Sequence, residues 1–401
     1  MTRPIIYGAS YDEEANLTKK VAQQYQKTLA KNDRVPELPL WRGQQEHNNF
    51  LKPNLLLAGA PLLTYSLADG LLHTHSELAV IGDAVTQDIT QAMKNYFEIP
   101  RNRRVQAVHE PKEKSMRATI QTGLQALEIQ DDFAFVTADL AFNQVSKHAN
   151  KEFPANYHAH LELPSEQLLS NGLTKQYLNR NFQFPLQING ELHNCKEPNI
   201  YLLRNQEPLM NALNLIYDSR KGATSTTTTI TNILTKIHAQ TTIADWREAT
   251  PALLQATKQL ATHYATSREL RADITPLQEA TYHLLGIQTN IQPTKTSLAE
   301  VFDIDSAYDL ALADTLLRTN PHTHPHADAI QAFKLDELPR LQQKHPQLRE
   351  DINSTRINNY LQAHGHPQLL NQDGSVHESY LQEHHLHQTP TTPPALIQAA
   401  E

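Results

Sequence analysis

Between Leu51 and Leu140 short apolar runs alternate with helical stretches at the spacing of right-handed crossover connections, and that alternation restricts the fold more than anything else in the chain. Glu77-Leu-Ala-Val-Ile-Gly82, Arg104-Val-Gln-Ala-Val-His109 and Phe133-Ala-Phe-Val136 are too short for helices and read as buried strands. Residues 86–97 and 116–127 carry helical periodicity, and Pro61 is placed as the first residue of a helix running to about His73. With Pro4-Ile-Ile-Tyr7 as a further buried strand, the pattern predicts a Rossmann-like α/β fold, its mainly parallel sheet covered by helices on both faces. The last of these strands ends abruptly in Asp139. A carboxylate there faces the crevice where open α/β sheets bind ligands, although a lone strand-end aspartate also serves as a turn cap.

At 401 residues the chain accommodates one large α/β domain with an extension, or two domains. A formal charge of -8 and the lack of a basic run argue against nucleic acid as a partner. No apolar segment approaches the length of a membrane span, and the N-terminus lacks the form of a signal peptide, so a soluble cytoplasmic protein is expected. Cys195 is the single cysteine, which excludes an intrachain disulfide and a cysteine-rich zinc site.

Gly8-Ala9-Ser10 follows the first strand, and small residues there leave backbone N–H groups to face an anion. Lys52 lies seven residues before Gly59-Ala60-Pro61. Taken in order with Asp139, these segments resemble the nucleotidyltransferases similar to the molybdenum-cofactor guanylyltransferase and the sugar-phosphate nucleotidyltransferases, which share a Rossmann-like glycosyltransferase-A type fold. Ser115-Met-Arg-Ala-Thr-Ile-Gln-Thr-Gly123 is similar to the segment that lies beside the nucleotide base in that family. Asn199 stands where uncharacterised members have Gly-Gly-Asn, Ser219-Arg220-Lys221 resembles their Ala-Arg-Lys, and Asp303-Ile-Asp305-Ser-Ala-Tyr-Asp309-Leu is similar to their closing turn. The resemblance spans roughly residues 4 to 318.

That resemblance implies transfer of a nucleotidyl group from a nucleoside triphosphate to a phosphorylated small molecule, with pyrophosphate released. It assigns Asp139 and Asp305 to a magnesium (or manganese) ion, with Asp303 as a third carboxylate, because such ions take a few carboxylates plus phosphate oxygens. Asp303 also suits a turn or helix cap, and Asp309 is read as one. Lys52 is placed on the triphosphate, Gly8, Ala9, Ser10, Ser115 and Gly123 around the nucleotide, and Asn199, Arg220 and Lys221 on the acceptor side. Three departures admit an alternative, a catalytically impaired relative that binds a nucleotide or sugar phosphate. Gly8-Ala9-Ser10 lacks the second glycine and the arginine of the family's loop, Glu197-Pro198 replaces Gly-Gly, and residues 11–49 intervene before Lys52.

Residues 219–289 read as a helical insertion, with helices at 232–237, 243–267 and 276–285 and Trp246 in their packing. From residue 319 the composition changes to a histidine-rich extension. His322, His324 and His326, His364 and His366, and His384, His385 and His387 are read as parts of a polar, solvated tail rather than a zinc or nickel site, with two short helices in 328–363 and the last dozen residues disordered.

Overall fold

The computed structural model describes residues 3–9, 52–112, 115–153, 156–164, 183–196, 200–220, 241–267, 272–294, 302–304 and 320–349, with short pieces at 232, 235–239, 313–314 and 317–318. Among these, seven strands form the central sheet: β1 (Ile5–Ala9), β4 (Leu78–Gly82), β5 (Val105–His109), β6 (Asp132–Thr137), β7 (Ala159–Pro164), β10 (Ile200–Arg204) and β12 (Thr289–Thr294). Their order is β12-β7-β10-β6-β1-β4-β5. β10 runs antiparallel to both of its neighbours, and the other pairings are parallel. The expected mainly parallel α/β sheet is therefore what forms.

Strand residues divide by parity between two cores. Ile5, Tyr7, Leu78, Val80, Ala134 and Val136 pack on one side, against α1 (Leu62–His73) and α2 (Ala84–Tyr96). Ile6, Ala79, Ile81, Phe133 and Phe135 pack on the other, against α3 (Met116–Leu127) and, with Leu203, the helix α5 (Glu207–Arg220). Between them α4 (Val145–Ala149) adds to the first core. Burial on both faces explains why these strands read as continuous apolar runs rather than alternating ones.

Ser115 caps α3 by accepting a hydrogen bond from the backbone N–H of Ala118 at 3.1 Å, and Asp83 does the same for α2 through the N–H of Thr86 at 2.8 Å. Pro61 precedes α1 by one residue instead of opening it, because it belongs to β3 (Ala60–Pro61), paired with β2 (Leu56–Leu57). The turn between them has φ of 47° at Ala58 and 79° at Gly59, the doubly left-handed conformation a two-residue hairpin requires.

A second, three-stranded sheet, β11-β8-β9, is built from the hairpin β8 (Gln183–Ile188) and β9 (Glu191–Lys196) with β11 (Ala272–Asp273). The helical insertion appears as α6 (Ile243–Ser267) and α7 (Ile274–Leu285), with Trp246 packed beside Leu215, Ile237, Ala249 and Leu284.

The histidine-rich stretch departs from expectation. α8 (Ala327–Asp336) and α9 (Leu338–Lys344) send Phe333, Leu338 and Leu341 into the same core as Tyr7 and Leu67, joined by Leu348. His324 and His326 are only 1% and 5% exposed. The solvated-tail reading therefore fails for His324 and His326, because the apolar residues of α8 and α9 bring the loop ahead of them down onto α1, while His322 stays exposed. The histidines at 364–387 and the last dozen residues lie outside the described residues.

Candidate functional site

Strand order reverses between β1 and β6, since the chain leaves β1 for β4 on one side and reaches β6 on the other. In open α/β sheets such a reversal is where the flanking helices diverge and ligands bind, beyond the carboxyl ends of the strands. Asp139 stands at that end of the sheet, two residues past the end of β6.

The backbone around Asp139 is held from three directions. The Ala138 N–H donates to the carbonyl of Gly8 on β1 at 3.1 Å, and the Ile304 N–H donates to the carbonyl of Asp139 at 3.2 Å. Ser66, buried in α1, has its hydroxyl 2.9 Å from the carbonyl of Ala138 and 2.8 Å from that of Leu140, so one proton is shared by the residues flanking Asp139. Asn143, also buried, ties this turn to the carbonyl of Ser66 at 2.6 Å. Neither Ser66 nor Asn143 was legible as a site residue, since their partners are carbonyls of a distant segment.

Leu140 and Asp303 form an isolated antiparallel bridge. The chain thus brings the 302–304 segment, more than 160 residues downstream, against the Asp139 turn, with Asp303 largely buried. Asp305, the second expected ligand, follows that segment and itself lies outside the described residues. Carboxylates are hard oxygen donors of the kind that magnesium and manganese take.

Lys52 opens a single 3-10 turn, Lys52–Asn54. The buried Asn54 amide lies 3.3 Å from the carboxylate of Asp83, immediately after β4, which fixes the Lys52 turn over the same end of the sheet as Asp139. Only β1 separates β4 from β6, so the strands that lead into Asp83 and Asp139 run roughly 9–10 Å apart across the sheet. Downstream residues hold the neighbouring hairpin. Asp314 accepts the Ala58 N–H at 2.7 Å and the Arg318 Nε at 2.7 Å, and Lys334 donates to the Ala58 carbonyl at 2.9 Å.

Other expected site residues sit differently. Gly8 and Ala9 belong to β1, paired with β4 and β6, so the strand runs two residues further than the sequence reading placed it. Gly8 faces the Phe135 ring, where an added Cβ would lie 2.8 Å from Cζ. Gly123 is buried within α3, and an added Cβ there would come within 2.6 Å of Ile6. Its place is in the contact of α3 with the sheet. Ser115 lies at the start of α3, beyond the carboxyl end of β5, where it acts as the helix cap. Arg220 is the last residue of α5, while Ser10, Asn199 and Lys221 lie outside the described residues. No helix among the described residues is long and apolar enough to cross a membrane.

No family model matches the chain, and no curated protein does. Among solved structures it is similar to the nucleoside-diphosphate-sugar pyrophosphorylase from Vibrio cholerae RC9, at 11% identity and a TM-score of 0.36, over 77% of this chain and 99% of that one. It is similar also to the inositol-1-phosphate CTP transferase from T. maritima, at 11% identity and a TM-score of 0.30, over 60% of this chain and 82% of that one.

Proposed function

We propose that the protein transfers a nucleotidyl group from a nucleoside triphosphate to a phosphorylated small molecule and releases pyrophosphate. The observation that carries this reading is the placement of Asp139 at the strand-order switch, with the 302–304 segment bridged against it. An acceptor phosphate oxygen attacks the α-phosphorus, and the bond to the bridging oxygen of pyrophosphate breaks. No covalent step falls to the protein, whose task is to orient both groups and offset oxyanion charge.

Asp139 and Asp305, with Asp303, would hold a magnesium or manganese ion, which supplies neutralisation of the triphosphate when bound. Bracing by Gly8, Ser66 and Ile304 keeps the Asp139 backbone fixed, so little reorganisation is needed as charge develops. Lys52 serves as a positive point charge on the triphosphate, its turn anchored through Asn54 to Asp83. Asn199, Arg220 and Lys221 stand on the acceptor side by the sequence resemblance alone.

A second reading, nucleotide binding without turnover, draws on one feature. With Gly8 and Ala9 inside β1, their backbone is engaged in the sheet, and fewer N–H groups than the family's loop supplies remain for phosphate. Pyrophosphate release, measured with each of four nucleoside triphosphates, magnesium and a panel of sugar and polyol phosphates, separates the two. Turnover with at least one pair supports transfer. Saturable, metal-dependent binding of a triphosphate with no release supports the second reading, and neither result would overturn both.

A further inference from the structure

The last turn of α1 carries an aspartate and a histidine four residues apart, Asp69 and His73, on one helix face. His326, at the start of α8, is brought to the same point by the descent of the histidine-rich stretch onto α1. His326 Nε2 lies 3.1 Å from Asp69 Oδ1, and His73 Nδ1 lies 3.7 Å from the same oxygen. All three donor atoms fall within 4.8 Å of one another.

These spacings are informative. At 3.7 Å the His73–Asp69 pair is too long for a hydrogen bond. Two donors that share one tetrahedral ion at about 2.0–2.1 Å stand roughly 3.3–3.4 Å apart, and the observed 3.1 Å and 3.7 Å bracket that value. The surroundings also hold the ligands in place. Asp69 is 2% exposed, and its carboxylate accepts the Ser146 N–H at 2.7 Å and the Ser146 hydroxyl at 3.0 Å. The His326 N–H donates to His324 Nδ1 at 3.1 Å, which fixes the loop that delivers the ring. His73 is 59% exposed and leaves the fourth direction open to water.

We propose that Asp69, His73 and His326 form a site for one divalent transition-metal ion of the zinc class, which ties the C-terminal extension to α1. Two imidazoles and a carboxylate suit zinc, cobalt or nickel and disfavour magnesium. The site lies about one turn along α1 from Ser66, whose hydroxyl braces the residues flanking Asp139, and it uses none of the residues assigned to the proposed nucleotide site.

The test uses the full chain, stripped with chelator and then equilibrated with zinc or with cobalt as a spectroscopic probe. Bound metal per chain and the thermal midpoint are measured for the native protein, His73→Ala and Asp69→Asn. His73→Ala alters an exposed side chain, so its fold is expected to persist. The proposal predicts that His73→Ala lowers the bound stoichiometry by one ion, or weakens that ion's binding by at least about 100-fold, and removes the metal-induced rise in midpoint. Asp69→Asn is expected to do the same, and cobalt in the native protein is expected to show tetrahedral absorption that both variants lack. Equal stoichiometry and affinity in native protein and His73→Ala, or no ion bound by the native protein, would overturn it.

Discussion

Gly123→Ala places a methyl group where the structure has Ile6. The new Cβ would lie 2.6 Å from Ile6 Cγ2 and 2.9 Å from both Cγ1 and Cδ1, so α3 must move off the sheet or Ile6 must leave its rotamer. Overpacking of this kind costs about 1–3 kcal/mol. Alanine favours a helix interior over glycine by about 1 kcal/mol, which offsets part of that cost. The net expectation is a loss of roughly 0–2 kcal/mol, read as a lowered midpoint in urea-induced unfolding. Ile6→Ala removes all three contacted atoms and by itself costs about 2–5 kcal/mol. In that background the clash is gone, and Gly123→Ala is expected to become neutral or to stabilise by up to about 1 kcal/mol. A change of sign between the two backgrounds is the signature of the contact. The same loss in both would refute it, and a large rise in the KM for a triphosphate without any loss of stability would favour the nucleotide-side reading of Gly123.

Phe333→Ala tests whether the C-terminal extension belongs to the core: Phe333 is fully buried against Tyr96 and Phe97, and its truncation should cost about 3–5 kcal/mol in urea unfolding, whereas a solvated tail would show no change. Glu162 gives a pH prediction. Burial would raise its carboxyl, but hydrogen bonds from His148, His160 and Lys151 outweigh that and hold it far below the usual carboxylate range. Its share of stability is therefore fully present above the unfolded value of about 4.3 and is lost as pH falls below it. Glu162→Gln should lower stability at pH 7 and flatten the decline between about pH 5 and 3, while a variant with the native slope there would contradict the assignment.

The strands around β1 and the helices that join them were legible because each announces itself locally. Runs such as Ala134 and Val136 beside Phe133 and Phe135 fill both faces of one sheet, and Ser115 marks the start of the helix that ends at Leu127. Ile243–Ser267 was legible to the residue, despite Pro251 within it, from its apolar face. β7, β8 and β9 were not read as strands, although the Asn189-Gly190 turn is a standard hairpin signal, because their flanking residues alternate poorly. The end of β1 was misplaced for another reason. Small residues leave a strand's last pair undecided until its neighbours on both sides are known, and here Gly8 pairs with Ile81 and Thr137, far along the chain.

The site was legible in part for the same reason. Asp139 stands out because an apolar run stops at it, but its bracing by Ser66 and by the 302–304 segment rests on contacts between distant parts of the chain. The burial of His324 and His326 was not legible, although both histidines stood out in the sequence. His326 meets Asp69 across 257 positions, and the one local hint was a carboxylate inside the otherwise apolar helix Leu62–His73. Burial there follows from Phe333 and Leu338, not from the histidines themselves.

The claim on which the functional account turns is that the carboxylate at the strand-order switch carries the metal–triphosphate. Its most direct test compares the kcat/KM for pyrophosphate release by Asp139→Asn with that of the native protein, using the best triphosphate and acceptor pair at saturating magnesium. The account predicts a fall of roughly 10²-fold or more, with the urea midpoint measured alongside so that loss of turnover is separated from loss of fold. Native turnover in Asp139→Asn would contradict it.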